Sequence, residues 1–244
     1  MAKLIHLFIV ILLFSHLLWG DGSRSFDDSS GQNMSGGNIN DVTTGNLTTW
    51  AWMKSTEDAS VDAVIGKARS LSVNFAGYGI HQSATDLYTA KVYDGTTAAS
   101  CVSAVDRDGA WTFLLMTWNG TANAIMLYEG NEAACISAIV PVGSLTNGFN
   151  FEVGNAGTNA EPANGQIAFA GFANAVATTN LRQELMFRPE SVFAQTLNNN
   201  VISWPSWGQS GGSEESFQQS TNLTVTSVKL SDDGPPVMIG VGAM

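Results

Sequence analysis

Ten basic residues in a chain of 244, none of them clustered, leave no phosphate-binding surface, so nucleic acid is excluded as a partner. The 21 acidic residues bring the formal net charge to −11. They are dispersed, with pairs such as Asp27-Asp28, Glu214-Glu215 and Asp232-Asp233 far apart, a pattern that serves solubility rather than a cationic partner. Histidine is scarce too. Outside the first twenty residues His81 stands alone, and no Gly-x-Ser-x-Gly elbow precedes a helix. Serine hydrolysis therefore lacks its base, and one histidine without Cys/His spacing cannot build a catalytic zinc site. The Glu-x-Asp-x-x-Glu run that lines a glycosidase strand is also missing. Glu129-Gly-Asn-Glu132 comes nearest, but its glycine and asparagine mark a turn, while Glu152 and Glu161 are isolated and read as surface residues. The chain reads as a non-enzyme.

What is present is short-range alternation. In Asn46-Leu-Thr-Thr-Trp-Ala-Trp-Met-Lys54 an extended backbone puts Trp50, Trp52 and Lys54 on one face and Leu47, Ala51 and Met53 on the other. Trp111-Thr-Phe-Leu-Leu-Met-Thr-Trp118 and Asn123-Ala-Ile-Met-Leu-Tyr128 flank Asn119-Gly120, a strong hairpin signal. Strands are predicted at 23–26, 47–54, 61–67, 71–76, 87–93, 99–105, 111–118, 123–128, 134–140, 150–154, 165–174 and 223–230, with a loop from Phe26 to Asn40 and a Gly/Ser/Gln-rich link after Val201-Ile-Ser-Trp204. Asp94-Gly95 and Asp106-Arg-Asp-Gly109 supply turns. Trp50, Trp52, Trp111 and Trp118 are assigned to the interior. A helix capped by Thr178 or Thr179 carries Leu181, Leu185 and Met186, ends before Pro189, and leaves room for a second short turn near 190–195. The fold class is all-β: a two-sheet antiparallel β-sandwich with one or two short helices near 178–197.

Met1-Ala-Lys3 precedes an apolar stretch from Leu4 to Trp19, shorter than the ~20 residues of a bilayer span. It is either an export signal cut near Gly20-Asp21, with Leu18 an imperfect neighbour for that cut, or a retained assembly segment. Residues 1–20 are thus a leader, with membrane contact confined to 4–19 if retained, and 21–244 form one domain. Cys101 and Cys135, in the similar contexts Ala-Ala-Ser-Cys-Val and Ala-Ala-Cys-Ile, either pair or act as two small buried apolar residues.

In order and spacing the chain resembles the laminin G-like modules of the concanavalin A-like lectin/glucanase superfamily, in the variant found on phage and bacterial surfaces. Arg24-Ser-Phe-Asp-Asp-Ser29 is similar to its opening Phe-Asp-Gly turn, though without the glycine. Trp50-Ala-Trp-Met-Lys54 is similar to its Ala-Trp-Val-Lys strand, and Trp111 to Gly120 with Leu127-Tyr-Glu-Gly130 to its central hairpin. Val201 to Trp207 and Asp233-Gly-Pro-Pro236 are similar to its C-terminal extension. The resemblance covers most of 22–237 and implies a jelly roll that binds glycan or protein. It points to a non-catalytic adhesion protein displayed on a virion, as capsid decoration or tail part, or on a cell. Partners would be other surface subunits in a homo-oligomer or repeated lattice, and glycans. A secreted lectin, or a glycoside hydrolase or lyase on the same fold, is the alternative. No motif demands a cofactor, but the resemblance brings in calcium, for which Asp106 and Asp108 offer a loop fragment and Asp27, Asp28, Asp232 and Asp233 a second group if the terminal strands pair. Aromatic residues in or beside loops, Tyr78, His81, Tyr88, Tyr93, Trp204 and Trp207, are the expected sugar contacts.

Overall fold

The computed structural model describes residues 23–187 apart from 28–31, 44, 57–59, 73–75, 123, 138–142 and 158–160, and beyond these 201–204, 213–214, 223–226, 229–231 and 233–236. Sixteen strands and one helix lie among the described residues. The strands are β1 (Ser23–Phe26), β2 (Asn33–Gly37), β3 (Asn46–Ser55), β4 (Asp62–Lys67), β5 (Gly77–Gln82), β6 (Tyr88–Tyr93), β7 (Ala98–Val102) and β8 (Thr112–Asn119). They continue with β9 (Ala124–Glu129), β10 (Glu132–Ser137), β11 (Phe151–Val153), β12 (Gly165–Ala173), β13 (Val201–Trp204), β14 (Ser213–Glu214), β15 (Leu223–Thr226) and β16 (Lys229–Ser231). Helix α1 spans Thr179–Phe187. No helix among the described residues is long and apolar enough to cross a membrane.

The strands form two antiparallel sheets, a β-sandwich of jelly-roll type. One runs β10-β9-β8-β3-β12-β1-β16, with β13 continuing beside β12; the other runs β14-β15-β2-β11-β4-β5-β6-β7. Three strand expectations differ. The stretch 33–37, expected as loop, is β2. Residues 71–72, expected in a strand, form a bend, and the strand begins at Gly77. The tail divides into β15 and β16, which pair with different sheets. The second turn at 190–195 lies outside the described residues.

β3 and β8 are buried on both faces, which explains why each face of these strands carries apolar side chains. Leu47, Ala51, Met53, Leu114, Met116 and Trp118 point into the space between the sheets. Trp50, Trp52, Phe113 and Leu115 point the other way, into a second cluster with Tyr128, Leu185 and Met186. The indoles are therefore split: Trp118 fills the sandwich, whereas Trp50 and Trp52 form a separate core beneath α1. A bulge in β12 between Ala168 and Gly171 turns Phe169, at φ 47°, onto that outer face.

The segment leading into α1 is tied to β3 by Thr48. Its Oγ1 donates to the Ala175 carbonyl at 2.7 Å and accepts from the Ala177 amide at 2.9 Å. Thr178 is the N-cap, its hydroxyl oxygen accepting from the Leu181 amide at 3.3 Å. Arg182 then lies 4.0 Å over the Tyr128 ring.

Cys101 on β7 and Cys135 on β10 are joined as a disulfide, with Cα atoms 5.6 Å apart. Each strand is the last of its sheet, so the bond fastens the two layers along one open edge.

Candidate functional site

The turn between β7 and β8 lies at the sandwich end where β3 and β8 meet. The Gly109 amide donates to the Ser55 carbonyl at 3.0 Å, and the Ala110 amide to Arg107 O at 3.1 Å. The Asp108 amide donates to Asp106 Oδ1 at 2.9 Å, so the first aspartate shapes the loop that presents the second. Opposite stands the β5–β6 turn, where Asp86 adopts φ 60°, a left-handed conformation that aspartate tolerates better than most residues. Asp86, Asp106 and Asp108 thereby bring one carboxylate oxygen each within 4.8 Å of the others.

Gln82, only 3% exposed at the end of β5, sits between two of them. Its Nε2 donates to Asp108 Oδ1 at 2.7 Å and to Asp86 Oδ1 at 3.3 Å, while its Oε1 has no hydrogen-bond partner. Ser55 Oγ donates to the same Asp108 oxygen at 2.6 Å, and Asp108 Oδ2, buried, has none. Unsatisfied buried acceptors are costly. Rotating the Gln82 amide by half a turn would aim Oε1 at the carboxylates, an arrangement stable only with a cation between them. The donor set, three carboxylates with an amide and a hydroxyl close by, is all oxygen, which fits a hard divalent cation such as calcium and not zinc.

Beside this group opens a cleft of about 710 Å³, lined by Asp27, Lys54, Ser55, Asp108, Asn164 and Gln166 among others. Its lining includes Gly165 at φ 141°, where a Cβ would fall 2.3 Å from the Lys54 carbonyl oxygen, so a side chain there would force β12 away from β3. On the other side of the β7–β8 turn lies a smaller groove of about 270 Å³, walled by Trp52, Arg107, Trp111, Phe113 and Glu129. Asp233 spans the two. Its Oδ2 meets Lys54 Nζ at 2.5 Å and its Oδ1 accepts from Trp111 Nε1 at 3.0 Å. These bonds hold its carboxyl below the ordinary range, Lys54 contributing most and Trp111 next.

Several residues expected at a ligand site lie elsewhere. Tyr78 and Tyr88 are buried in the sandwich, Tyr78 donating to the Asn40 carbonyl and Tyr88 to Ser55 Oγ. Tyrosine suits a half-buried pleated strand as well as a loop, and only the register decides between them. His81 is 7% exposed on β5, its titration lowered to about 4 by burial. Tyr93 is half-buried at the end of β6. Trp204 belongs to β13, whose backbone alone is described; Trp207, Asp28 and Asp232 lie outside the described residues. Asp106 and Asp108 come together, joined by Asp86. Asp27 is exposed on the cleft wall, and Asp233 is engaged by Lys54 and Trp111.

Glu152 and Glu161, read as surface residues, are 3% and 4% exposed. Glu161 accepts from the Ser70 hydroxyl, the Leu71 and Ser72 amides and the Ser72 hydroxyl. Glu152 accepts from Asn33 Nδ2 at 3.0 Å. Trp111, assigned to the interior, is half-buried on the groove. Sequence reasoning also missed Gln82 and Asp86. Their signal is faint: Ser83-Ala-Thr-Asp86 is an ordinary polar turn.

No family model matches the chain, and no curated protein matches it in sequence. Solved structures do match in shape. A candidate carbohydrate-binding protein from Bacteroides ovatus superposes with a TM-score of 0.67 at 12% identity, over 90% of this chain and 62% of its own. A heptameric SAP-like pentraxin from Limulus polyphemus gives 0.56 at 9% identity, over 87% of this chain and 95% of its own. The CBM40 domain of the Ruminococcus gnavus IT-sialidase, bound to α2,3-sialyllactose, gives 0.50 at 10% identity, over 59% of this chain and 83% of its own. At these identities the likeness defines the fold, a jelly-roll β-sandwich. The chain spans less than two thirds of the Bacteroides ovatus protein.

Proposed function

We propose that this chain is a non-catalytic, extracellular or surface-displayed carbohydrate-binding protein whose ligand site is the rim around the β7–β8 turn, completed by a divalent cation at Asp86, Asp106 and Asp108. The observation that carries it is the aspartate trio beside an open cleft of about 710 Å³, with Gln82 Oε1 and Asp108 Oδ2 lacking partners. A cation there would satisfy both atoms and leave coordination positions for sugar hydroxyls entering from the cleft. Sandwiches of this shape in a candidate carbohydrate-binding protein and in a sialyllactose-bound domain support the ligand class. The non-catalytic reading is supported by Glu129, whose carboxylate is tied to Arg107 at 3.4 Å while its neighbour across the turn, Glu132, is exposed.

A shallow rim binds one glycan weakly, and strong attachment follows from many copies presented together. Display on a virion or cell, in a repeated lattice or a ring, fits that requirement, and the pentraxin of similar shape is heptameric. Calorimetric titration of the metal-free chain with calcium tests the core of the proposal. One site is expected, absent from Asp108→Asn. No heat with the wild-type chain, or an unchanged isotherm for the variant, would count against it.

A further inference from the structure

The smaller groove has a chemistry of its own. Trp111 forms one half-buried wall, and its indole is fixed in place because Nε1 is bonded to Asp233. Trp52 and Glu129, which also line the groove, each carry a buried polar atom without a partner: Nε1 of the indole and Oε1 of the carboxylate. Trp50 and Trp118 have unpartnered indole N–H groups as well, but neither lines this groove or the cleft. Arg107, its side chain 46% exposed, reaches Glu129 Oε2 through Nε. The groove therefore combines a flat apolar wall and a guanidinium with a buried donor and a buried acceptor, both unpartnered, in the residues that line it.

We propose that this groove is a second subsite, independent of the cation, that takes one uncharged sugar ring. A pyranose presents C–H groups on one face and hydroxyls around its edge, matching an indole wall with polar groups at its margin. Glu129 Oε1 and Trp52 Nε1 lie just under the lining, and a small side-chain movement on binding would let ring hydroxyls donate to the first and accept from the second, which a purely apolar ligand cannot do. Arg107 and Glu129 offset one another's charge at 3.4 Å, so the groove carries no net charge and suits an uncharged ring. Its volume, about 270 Å³, suits one ring rather than a chain. This subsite rests on the glycan-binding reading, and the Asp233 bridge lets one oligosaccharide reach both cleft and groove.

The test is an array of neutral and sialylated glycans probed with the full chain, in calcium and in EDTA, for wild type, Trp111→Ala and Arg107→Ala. Thermal melts establish that each variant is folded; Arg107→Ala guards against misfolding because its side chain is nearly half exposed. The expected result is weaker binding of neutral glycans by wild type in EDTA, lowered about tenfold or more by Trp111→Ala and about three- to tenfold by Arg107→Ala. Neutral-glycan binding unchanged in both variants would overturn the subsite and leave the cation site standing. Complete loss in EDTA, with Trp111→Ala binding normally in calcium, would do the same. Absence of any glycan bound by wild type in calcium would overturn the glycan-binding reading itself, and the subsite with it.

Discussion

Asp233 and Trp111, 122 residues apart, are joined by a 3.0 Å hydrogen bond that fixes the half-buried wall of the groove. The same carboxylate pairs with Lys54 at the cleft, so one residue of the C-terminal segment connects the two cavities. Lys54 and Asp233 side chains are 33% and 42% exposed, and an ion pair in such surroundings adds little to stability. Asp233→Ala should therefore lower the unfolding free energy, measured by chemical denaturation, by less than about 1 kcal/mol yet weaken neutral-glycan binding, because Trp111 loses its anchor. Loss of stability without loss of binding would show that the bridge serves only the fold.

The outer core beneath α1 should be as necessary to folding as the space between the sheets. Leu185 is fully buried and Trp50 is 1% exposed there. Leu185→Ala should cost about 2–5 kcal/mol and Trp50→Ala about 3–5 kcal/mol, measured by chemical denaturation. Ile136, 63% exposed on β10, should tolerate alanine within about 0.5 kcal/mol. Equal effects at all three positions would contradict the two-core arrangement.

The two-layer fold was legible because strand periodicity and turn chemistry are local. Asn119-Gly120 lies in the β8–β9 connection, and Trp50 and Leu47 face opposite ways as alternation requires. Which face of a strand meets the other sheet is not local. The sequence of β3 places Trp50 and Trp52 in a single interior because nothing in it announces that α1, more than 120 residues later, covers its other side. The site was half legible for the same reason. Asp106 and Asp108 lie in one turn, but their third partner, Asp86, comes from another loop, and no spacing rule connects them. Glu152 and Glu161 were misplaced because their partners, Asn33 and the Ser70–Ser72 bend, are about 90 or more residues distant.

The Cys101–Cys135 bond closes a loop with a sequence separation of 34. Loop-closure entropy gives it about 4 kcal/mol, so replacing both cysteines by serine should lower unfolding free energy by roughly that amount. The fold should survive at low temperature, since the bond fastens an edge and not the core. An unchanged melting temperature would show that β7 and β10 hold together without it.

Two buried groups on the second sheet oppose one another in pH. Burial raises the Glu152 carboxyl to about 7 from an ordinary 4.5, the Asn33 bond resisting; burial lowers His81 to about 4 from 6.5, with Glu161 opposing. Between these limits folded Glu152 holds a proton that the unfolded chain releases, so its contribution to stability falls as pH rises toward 7. Unfolded His81 holds a proton that the folded chain excludes, so its contribution falls as pH drops from 6.5 toward 4. The slopes largely cancel between about pH 4.5 and 6.5. Glu152→Gln should expose the histidine slope, with stability rising by up to about 1.4 kcal/mol per pH unit across that interval. Parallel wild-type and variant profiles would show that Glu152 titrates normally.

The most direct test of the rim as a cation-assisted glycan site is a glycan array probed with wild type in calcium, wild type in EDTA, and Asp108→Asn in calcium. A defined set of glycans is expected to bind in calcium, with signals reduced in EDTA and to the same degree in the variant. Identical signals under all three conditions, or none with wild type in calcium, would contradict it.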